Sequence, residues 1–223
     1  MGNQFLSNIR ETDAIIHVVR AFENDDIVHV SGKVSPIDDI EIINTELILS
    51  DLSIVEKLYQ KAQKNTKSGQ KEGMPMKELV EKILTALKEG TSLRKLTFGK
   101  EVLVLLKNFQ LLTLKPVLYV ANVNESGFEN NPHLDLILDY ATQDHSKVVP
   151  ICAEIEAEIC ELSNDEKKEF LLEMGQNESG LDRLIKAGYD LLGLHTYFTA
   201  GEKEVKAWTI TVGDSAPVAA GKI

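Results

Sequence analysis

The sequence feature that most constrains the fold is an apolar run at residues 116–121 that stops abruptly at the polar string NVNE, residues 122–125. A short aliphatic run bounded by turn-forming residues is typical of a strand that is buried on both faces of a parallel sheet. Ligands bind such sheets beyond the carboxyl ends of the strands. We therefore expect an α/β fold with a binding site directly after this strand.

A second apolar run, residues 147–151, is followed by Cys152 and Ala153. Because the carboxyl ends of parallel strands lie at one edge of the sheet, both strand ends should offer polar groups and backbone amides to a single ligand. An asparagine and a carboxylate three positions apart can donate and accept hydrogen bonds along the edge of a flat heterocycle. The sequence therefore predicts a purine-base pocket formed by Asn122, Val123, Asn124, Glu125, Cys152 and Ala153.

The order NxxE after one strand, followed by a small-residue end on the next, is similar to the base-recognition loops of GTPases, usually NKxD and SAK. Longer strings resemble the YchF family, the Obg-like ATPases: GNQFLSNIRETDAIIHVVRAFEND, SPIDDIEIINTEL, ANVNESGFENNP, YFTAGEKEVKAWTI and PVAAGKI. The resemblance runs through nearly the whole chain and is weakest at about residues 50–109. It implies a partial parallel sheet of the P-loop-NTPase type, interrupted by an α-helical coiled-coil hairpin and followed by the start of a β-grasp (TGS) domain.

Apolar residues at helical spacing predict a long amphipathic helix over about residues 37–65, a turn at 66–75, a second helix at 76–89 and a short one at 101–109. The first two resemble the coiled-coil insertion of the family. We expect four segments: a first nucleotide-binding segment (1–36), the hairpin insertion (37–110), a second nucleotide-binding segment with the base-recognition loops (111–193) and a truncated TGS domain (194–223).

The hairpin carries a local excess of positive charge, although the chain has a formal net charge of −11. Residues 57–77 contain six lysines and one acidic residue. Several lysines on one helix face can release counterions from RNA. We call Lys57, Lys61, Lys64, Lys67 and Lys71 the lysine patch. It is either a solvated helix face or a surface that contacts RNA, and the sequence does not decide between the two.

The sequence contains no P-loop. Such a loop needs GxxxxGK[ST], whose backbone amides cradle phosphates while its Lys and its Ser or Thr reach phosphate oxygens and Mg²⁺. No window matches, and the pairs Gly32-Lys33, Gly99-Lys100 and Gly221-Lys222 are each followed by an unsuitable residue. The DxxG segment that contacts Mg²⁺ and the γ-phosphate in such proteins is absent as well, since the only DxxG string, at residues 190–193, ends a predicted helix. We therefore expect a fragment that recognises a base but is catalytically incompetent by itself, with no residue assigned to catalysis or to a metal.

The resemblance implies an ATP or GTP hydrolase that acts with the ribosome or ribosomal RNA and uses Mg²⁺ in the complete protein. In guanine-specific proteins, an Asp accepts two hydrogen bonds from the base and a Lys stem covers its face. Here Glu125 occupies the Asp position and Val123 the Lys position, so guanine selectivity should weaken. The resemblance implies that ATP is preferred over GTP, with Asn122, the Val123 backbone and the Cys152–Ala153 turn around the ring.

Two alternatives belong to other functional classes. A non-catalytic module could bind RNA or a protein through the lysine-rich hairpin while the base pocket is vestigial. A carboxylate-based hydrolase could use Glu154 or Glu156, although alternation with apolar residues favours a solvated segment there. His17, in a predicted strand, is interpreted as a core histidine. His29 is interpreted as a half-exposed position in a second predicted strand at residues 27–30.

Composition excludes several classes of protein. With 43% hydrophobic and 26% charged residues, this is an ordinary globular sequence without a signal peptide or a membrane-spanning run. The acidic net charge disfavours nonspecific nucleic-acid binding by the surface as a whole, although local patches can differ, and we expect no DNA partner. Cys152 and Cys160 are predicted to be buried and lack the spacing of a metal site or a disulfide framework. We expect a cytoplasmic protein.

Overall fold

The computed structural model describes residues 3–30, 32–67 and 73–223. Three parallel strands form the central sheet in the order β1 (Ile15–Arg20), β2 (Val117–Asn122) and β3 (Lys147–Ile151). In register, Arg20 pairs with Asn122, and Asn122 pairs with Ile151. The carboxyl ends of all three strands are therefore level, as the sequence predicts for a shared site.

Some of the helices pack on this sheet, and the second and third form a hairpin beside it. Their bounds are α1 (Asn3–Arg10), α2 (Pro36–Lys67), α3 (Gly73–Lys88), α4 (Lys100–Lys107), α5 (Pro132–Gln143), α6 (Ala153–Cys160), α7 (Asn164–Glu173), α8 (Gly180–Leu192) and α9 (Ala216–Ala220). Short 3₁₀ turns lie at Leu93–Lys95 and Leu112–Leu114, and an antiparallel pair, β4 (Leu194–Ala200) and β5 (Val205–Thr211), follows α8.

Strand β2 is the centre of the core, because both of its faces are covered. Tyr119 lies on one face within a cluster that includes Val19 and Ile137, whereas Leu118 lies on the other face against Leu184 of α8. Every residue from Val117 to Ala121 is buried. A strand buried on both faces needs a continuous apolar run, which confirms the prediction made from residues 116–121.

Helices α2 and α3 pack against each other over their apolar stripes. Val55 of α2 and Val80, Ile83 and Leu87 of α3 belong to one buried cluster. Helix α2 ends two residues later than predicted, and α3 begins three residues earlier. Part of the predicted turn, residues 68–72, lies outside the described residues. Assignment of the pair to the coiled-coil insertion stays a prediction.

Two buried carboxylates attach the hairpin to the sheet, and the first is Asp51 of α2. One of its oxygens accepts hydrogen bonds from the Leu112 backbone N–H at 3.0 Å and from Arg10 Nη1 at 3.1 Å. The other accepts from the backbone N–H and the hydroxyl of Thr113, each at 2.8 Å. The Asp51 side chain has 0% exposure. It therefore fixes α1, α2 and the turn leading into β2 at one point.

The second carboxylate is Asp144, which follows α5. It accepts hydrogen bonds from Arg94 Nε at 3.0 Å and from the Tyr119 hydroxyl at 2.9 Å. Arg94 also donates to Asn44 of α2 at 2.8 Å, and Asn44 donates to the Tyr140 hydroxyl at 3.0 Å. Burial, and then the adjacent Asp144 charge, raise the pKa of Tyr119 well above its usual range, so its hydroxyl remains a donor. This network joins α2, β2 and α5.

The structure corrects the prediction of a strand at residues 27–30. That segment is a loop, tied to β1 by Arg20, whose guanidinium donates to the carbonyls of Phe22, Asn24 and Ile27. His29 is therefore not in a strand, and its Nε2 lies 3.0 Å from an Asp39 carboxylate oxygen of α2. Three apolar residues do not make a strand here, because none of the strands in the described part of the chain lies beside this segment to pair with it.

One further prediction needs correction around β3. Cys160 is exposed rather than buried, because it lies at the outer end of α6, whereas Cys152 is buried as predicted. Residues 154–158 form part of helix α6, and Glu154 and Glu158 are exposed, as expected of a solvated segment. The predicted strand, turn and strand after residue 194 are confirmed as β4 and β5, with Tyr197 opposite Trp208. Their identity as a TGS domain stays a prediction.

Within the described ranges, none of the helices combines the length and the low polarity that a bilayer crossing requires. The same residues include no group of three His, Cys, Asp or Glu side chains that could hold a metal ion.

Candidate functional site

The strand ends form a hydrogen-bonded edge. The Ala21 backbone N–H donates to the Asn122 carbonyl at 2.8 Å, and the Val123 N–H donates to the Ile151 carbonyl at 2.9 Å. The Asn122 side-chain oxygen accepts from the Ala153 N–H at 3.1 Å. The Asn122 side chain thus joins the end of β2 to the start of α6 and brings the two predicted loops together.

The predicted base-pocket residues differ in what they offer a ligand. Val123 and Cys152 are each 2% exposed, so their side chains belong to the core and only their backbones can face a ligand. Asn124, Glu125 and Ala153 are exposed, and Asn122 is intermediate. A ligand at this edge would therefore meet the two polar side chains of the loop and the backbone around residue 153.

We call residues 122–131 the base loop, and its tightest point is Gly127. The Gly127 N–H donates to the Asn124 carbonyl at 2.9 Å, which closes a turn. A Cβ at Gly127 would lie 2.4 Å from the Asn124 side-chain oxygen and 3.1 Å from the Val123 Cβ. The turn therefore has no room for a side chain at this position without moving Asn124.

The base loop ends at Asn131, a residue that the sequence analysis did not assign to the site. Its amide nitrogen donates to the Ala21 carbonyl at 2.9 Å and to the Gly127 carbonyl at 3.0 Å. Its oxygen accepts from the N–H groups of His133 at 3.0 Å and Leu134 at 3.3 Å, which caps α5. The string Asn131-Pro132 signals a helix start in the sequence, but not the contact with β1.

On the other side of the edge, Glu156 of α6 has a structural role. One carboxylate oxygen accepts from the Gly180 N–H at 2.6 Å and the other from the Leu181 N–H at 3.2 Å. These are the free amides at the start of α8, where negative charge is favourable. A Cβ at Gly180 would approach Glu156 to 2.8 Å, so the glycine permits this contact. Glu156 is therefore engaged as a helix cap, which weakens the alternative of a carboxylate-based hydrolase.

His17, interpreted from the sequence as a core histidine, lies away from the strand ends. Its ring centroid is 5.6 Å from that of Tyr119. Burial, with a contribution from the Arg94 charge, lowers the pKa of His17, which keeps the imidazole neutral at pH 7. His17 is half-buried, so it lies at the margin of the core rather than inside it.

The described members of the lysine patch are Lys57, Lys61 and Lys64, and all three are exposed on α2. Their spacing of four and three residues places them on one helix face. The Lys67 side chain and all of Lys71 lie outside the described residues. The lysine patch belongs to the hairpin, whereas the base loop belongs to the sheet edge, so these are two separate candidate surfaces.

Comparison with known proteins gives consistent matches. Residues 194–223 match the family model YchF-GTPase_C, described as a protein of unknown function (DUF933). The whole chain is 56% identical over 223 residues to the ribosome-binding ATPase YchF of Haemophilus influenzae, covering 61% of that protein. It is 50% identical over 226 residues to the protein of the same name from Bacillus subtilis, covering 62% of it.

A solved structure is similar as well. The structure of the Schizosaccharomyces pombe YchF GTPase superposes with a TM-score of 0.88 at 35% identity, covering 99% of this chain and 61% of that one. The chain thus spans about three-fifths of the length of the relatives that it matches. The similarity includes the parallel sheet, the helices packed on it and the later antiparallel pair.

Proposed function

Because the chain belongs to the YchF family, we propose that it supplies the base-recognition part of a ribosome-associated NTPase that prefers ATP over GTP. The observation that carries this proposal is the Asn122 side chain, which joins the two loops at the strand ends. A loop and a strand end fixed to each other can present a preformed edge to a flat heterocycle. The relatives named ribosome-binding ATPases support the ribosome as partner and the cytoplasm as location.

The proposed preference for adenine rests on two positions of the base loop. Val123 is buried, so no side chain there covers the base as the lysine of a guanine-specific loop does. Glu125 is exposed and one methylene longer than aspartate, so its carboxylate does not reach the same place beside a guanine edge. Both differences remove interactions that favour guanine, and neither changes Asn122 or the backbone near Ala153.

The phosphate-binding and hydrolytic parts of the proposed NTPase are not assigned to these residues. No GxxxxGK[ST] window occurs in the sequence, so we do not expect this stretch to hydrolyse nucleotide by itself. ATP or GTP with Mg²⁺ is proposed for the complete protein. We also propose the division into nucleotide-binding segments 1–36 and 111–193, a hairpin insertion 37–110 and the start of a TGS domain at 194–223.

The adenine preference is tested by titrating the chain with fluorescent ADP and GDP in a fluorescence polarisation assay. We expect saturable binding that favours ADP. The substitution Glu125→Asp should raise the affinity for GDP relative to ADP by about tenfold, because the shorter carboxylate can accept from the guanine edge; tenfold corresponds to about 1.4 kcal/mol.

The matched control is Glu129→Asp, which makes the same change at another exposed position of the base loop. It should leave the ratio of ADP to GDP affinity unchanged. Equal affinity of the unmodified chain for ADP and GDP would contradict the adenine preference. No binding at millimolar nucleotide would contradict base recognition by these residues alone.

A second candidate function, contact with structured RNA, is supported by the exposed lysines on one face of α2. We expect the triple substitution of Lys57, Lys61 and Lys64 by Glu to weaken RNA binding by about tenfold or more. Each lost phosphate contact should also reduce the slope of log K against log salt by about 0.7–0.9. Filter binding to ribosomal RNA over a salt series measures both quantities.

The control for this experiment reverses the charge of three other exposed lysines, Lys107, Lys168 and Lys203. Both variants change the net charge by the same amount, so only a specific surface distinguishes them. An equal loss of binding in the two variants would reject the lysine patch as the RNA-contacting surface.

A further inference from the structure

Asn131 uses its whole hydrogen-bonding capacity at one junction. A carboxamide has two donor hydrogens and an oxygen with two lone pairs. The donors serve the end of β1 and the turn at Gly127, and the oxygen serves the first amides of α5. The Asn131 side chain therefore connects three parts of the structure. Among the described residues, no other side chain of the base loop does this.

We propose that Asn131 is the positioning residue of the base loop and that nucleotide selectivity depends on it. This inference rests on the proposed function, because it assumes that the base loop receives the purine. Asn122 fixes the first end of the loop to α6, and Asn131 fixes the last end to β1. Asn124 and Glu125 lie between these two anchors on an exposed turn.

The physical reason for such an anchor is preorganisation. If a loop must be ordered when its ligand binds, the ordering reduces the affinity, whereas a loop that is already fixed avoids this cost. Asn131 holds the Gly127 carbonyl, and the Gly127 N–H closes the turn onto Asn124. By holding Gly127, Asn131 therefore also fixes the turn that carries Asn124 and Glu125, the residues that would contact the base edge.

Asn131→Asp separates the positioning role from helix capping. Aspartate keeps the oxygen that accepts from the amides of α5, and it is as good a cap as asparagine. It has no N–H groups, so the carbonyls of Ala21 and Gly127 lose their donor and face a carboxylate instead. The matched control is Asn177→Asp, the same chemical change at an exposed position outside the site.

A second control, Ser163→Ala, removes the N-cap of α7 without touching the base loop. It shows what a general loss of helix stability does to nucleotide binding. All variants are compared by fluorescence polarisation with ADP and GDP, and by amide hydrogen exchange at Gly127.

We expect Asn131→Asp to lower the ADP affinity by about tenfold, to bring the ADP and GDP affinities closer together, and to speed exchange at Gly127 by about tenfold. Both controls should retain the original ratio of affinities. Unchanged ADP affinity and selectivity in Asn131→Asp would overturn the inference, as would unchanged exchange at Gly127. If the unmodified chain binds neither nucleotide, the proposed function fails, and the exchange rate still decides whether Asn131 positions the loop.

Discussion

Replacing Asp144 by alanine is expected to lower the free energy of unfolding by about 3–5 kcal/mol, because it leaves a charged partner buried without its counter-ion. The Arg94 side chain is 5% exposed and donates to Asp144 through Nε at 3.0 Å. The Tyr119 hydroxyl would lose its acceptor as well. Urea unfolding followed by circular dichroism at 222 nm measures the change.

A double-mutant cycle with Arg94→Met provides the control for this prediction. Removing both members of a buried ion pair lowers the free energy of unfolding by less than the sum of the two single changes. In the double variant, no charged side chain is left buried without a partner. The exposed pair of Lys147 and Asp190, with its side chains 62% and 67% exposed, gives a second comparison. Asp190→Ala should change stability little. Additive effects of Asp144→Ala and Arg94→Met would contradict the proposed coupling.

Replacing Asp51 by alanine should cost a similar amount, about 3–5 kcal/mol, for a different reason. Two backbone N–H groups, of Leu112 and Thr113, would lose their acceptor in a place where both residues have 0% exposure. Arg10 would lose its anionic partner too, but it keeps its hydrogen bonds to Ser50 and Gln110, and its side chain is 16% exposed. The same unfolding experiment measures this loss.

Arg10→Gln is the informative control for Asp51. It removes the cationic partner but leaves Asp51 with its two backbone donors and the Thr113 hydroxyl. We therefore expect it to cost clearly less than Asp51→Ala. A loss as large as that of Asp51→Ala would mean that the ion pair, and not the backbone amides, accounts for the stabilisation.

These two carboxylates bear on function because they attach the hairpin to the strand that carries the base loop. Asp51 of α2 holds the turn that leads into β2. Asp144 holds Tyr119 in the middle of β2 and also Arg94, which lies just after α3. The lysine patch and the base loop are therefore carried by elements that share buried polar contacts.

The elements that the sequence predicts correctly are those whose pattern lies within one short segment. The apolar run before Asn122 predicted the central strand, and helical spacing predicted α2 and α3 to within a few residues. The sequence pattern gave a wrong prediction at residues 27–30, where three apolar residues occur but no described strand lies beside them. It was also wrong at Cys160, whose position on α6 faces solvent.

The polar residues that organise the site were harder to predict, because their partners lie far away in the chain. Asn131 is 110 residues from Ala21, and Asp51 is 61 residues from Leu112. No spacing or periodicity encodes such a pair. Glu156 illustrates the same limit, since its contact with the start of α8 depends on an amide 24 residues later.

The sequence by itself determined the parallel strands, the two amphipathic helices and the identity of the loops that follow β2 and β3. These features follow from the alternation of apolar runs and turn-forming residues, a pattern that is present within each segment and does not depend on distant residues. Only the tertiary structure decided that Val123 is inside, that Asn131 anchors the base loop and that buried carboxylates fix the hairpin. Such outcomes depend on which distant donors and acceptors are brought together when water is excluded, and that happens only in the folded chain.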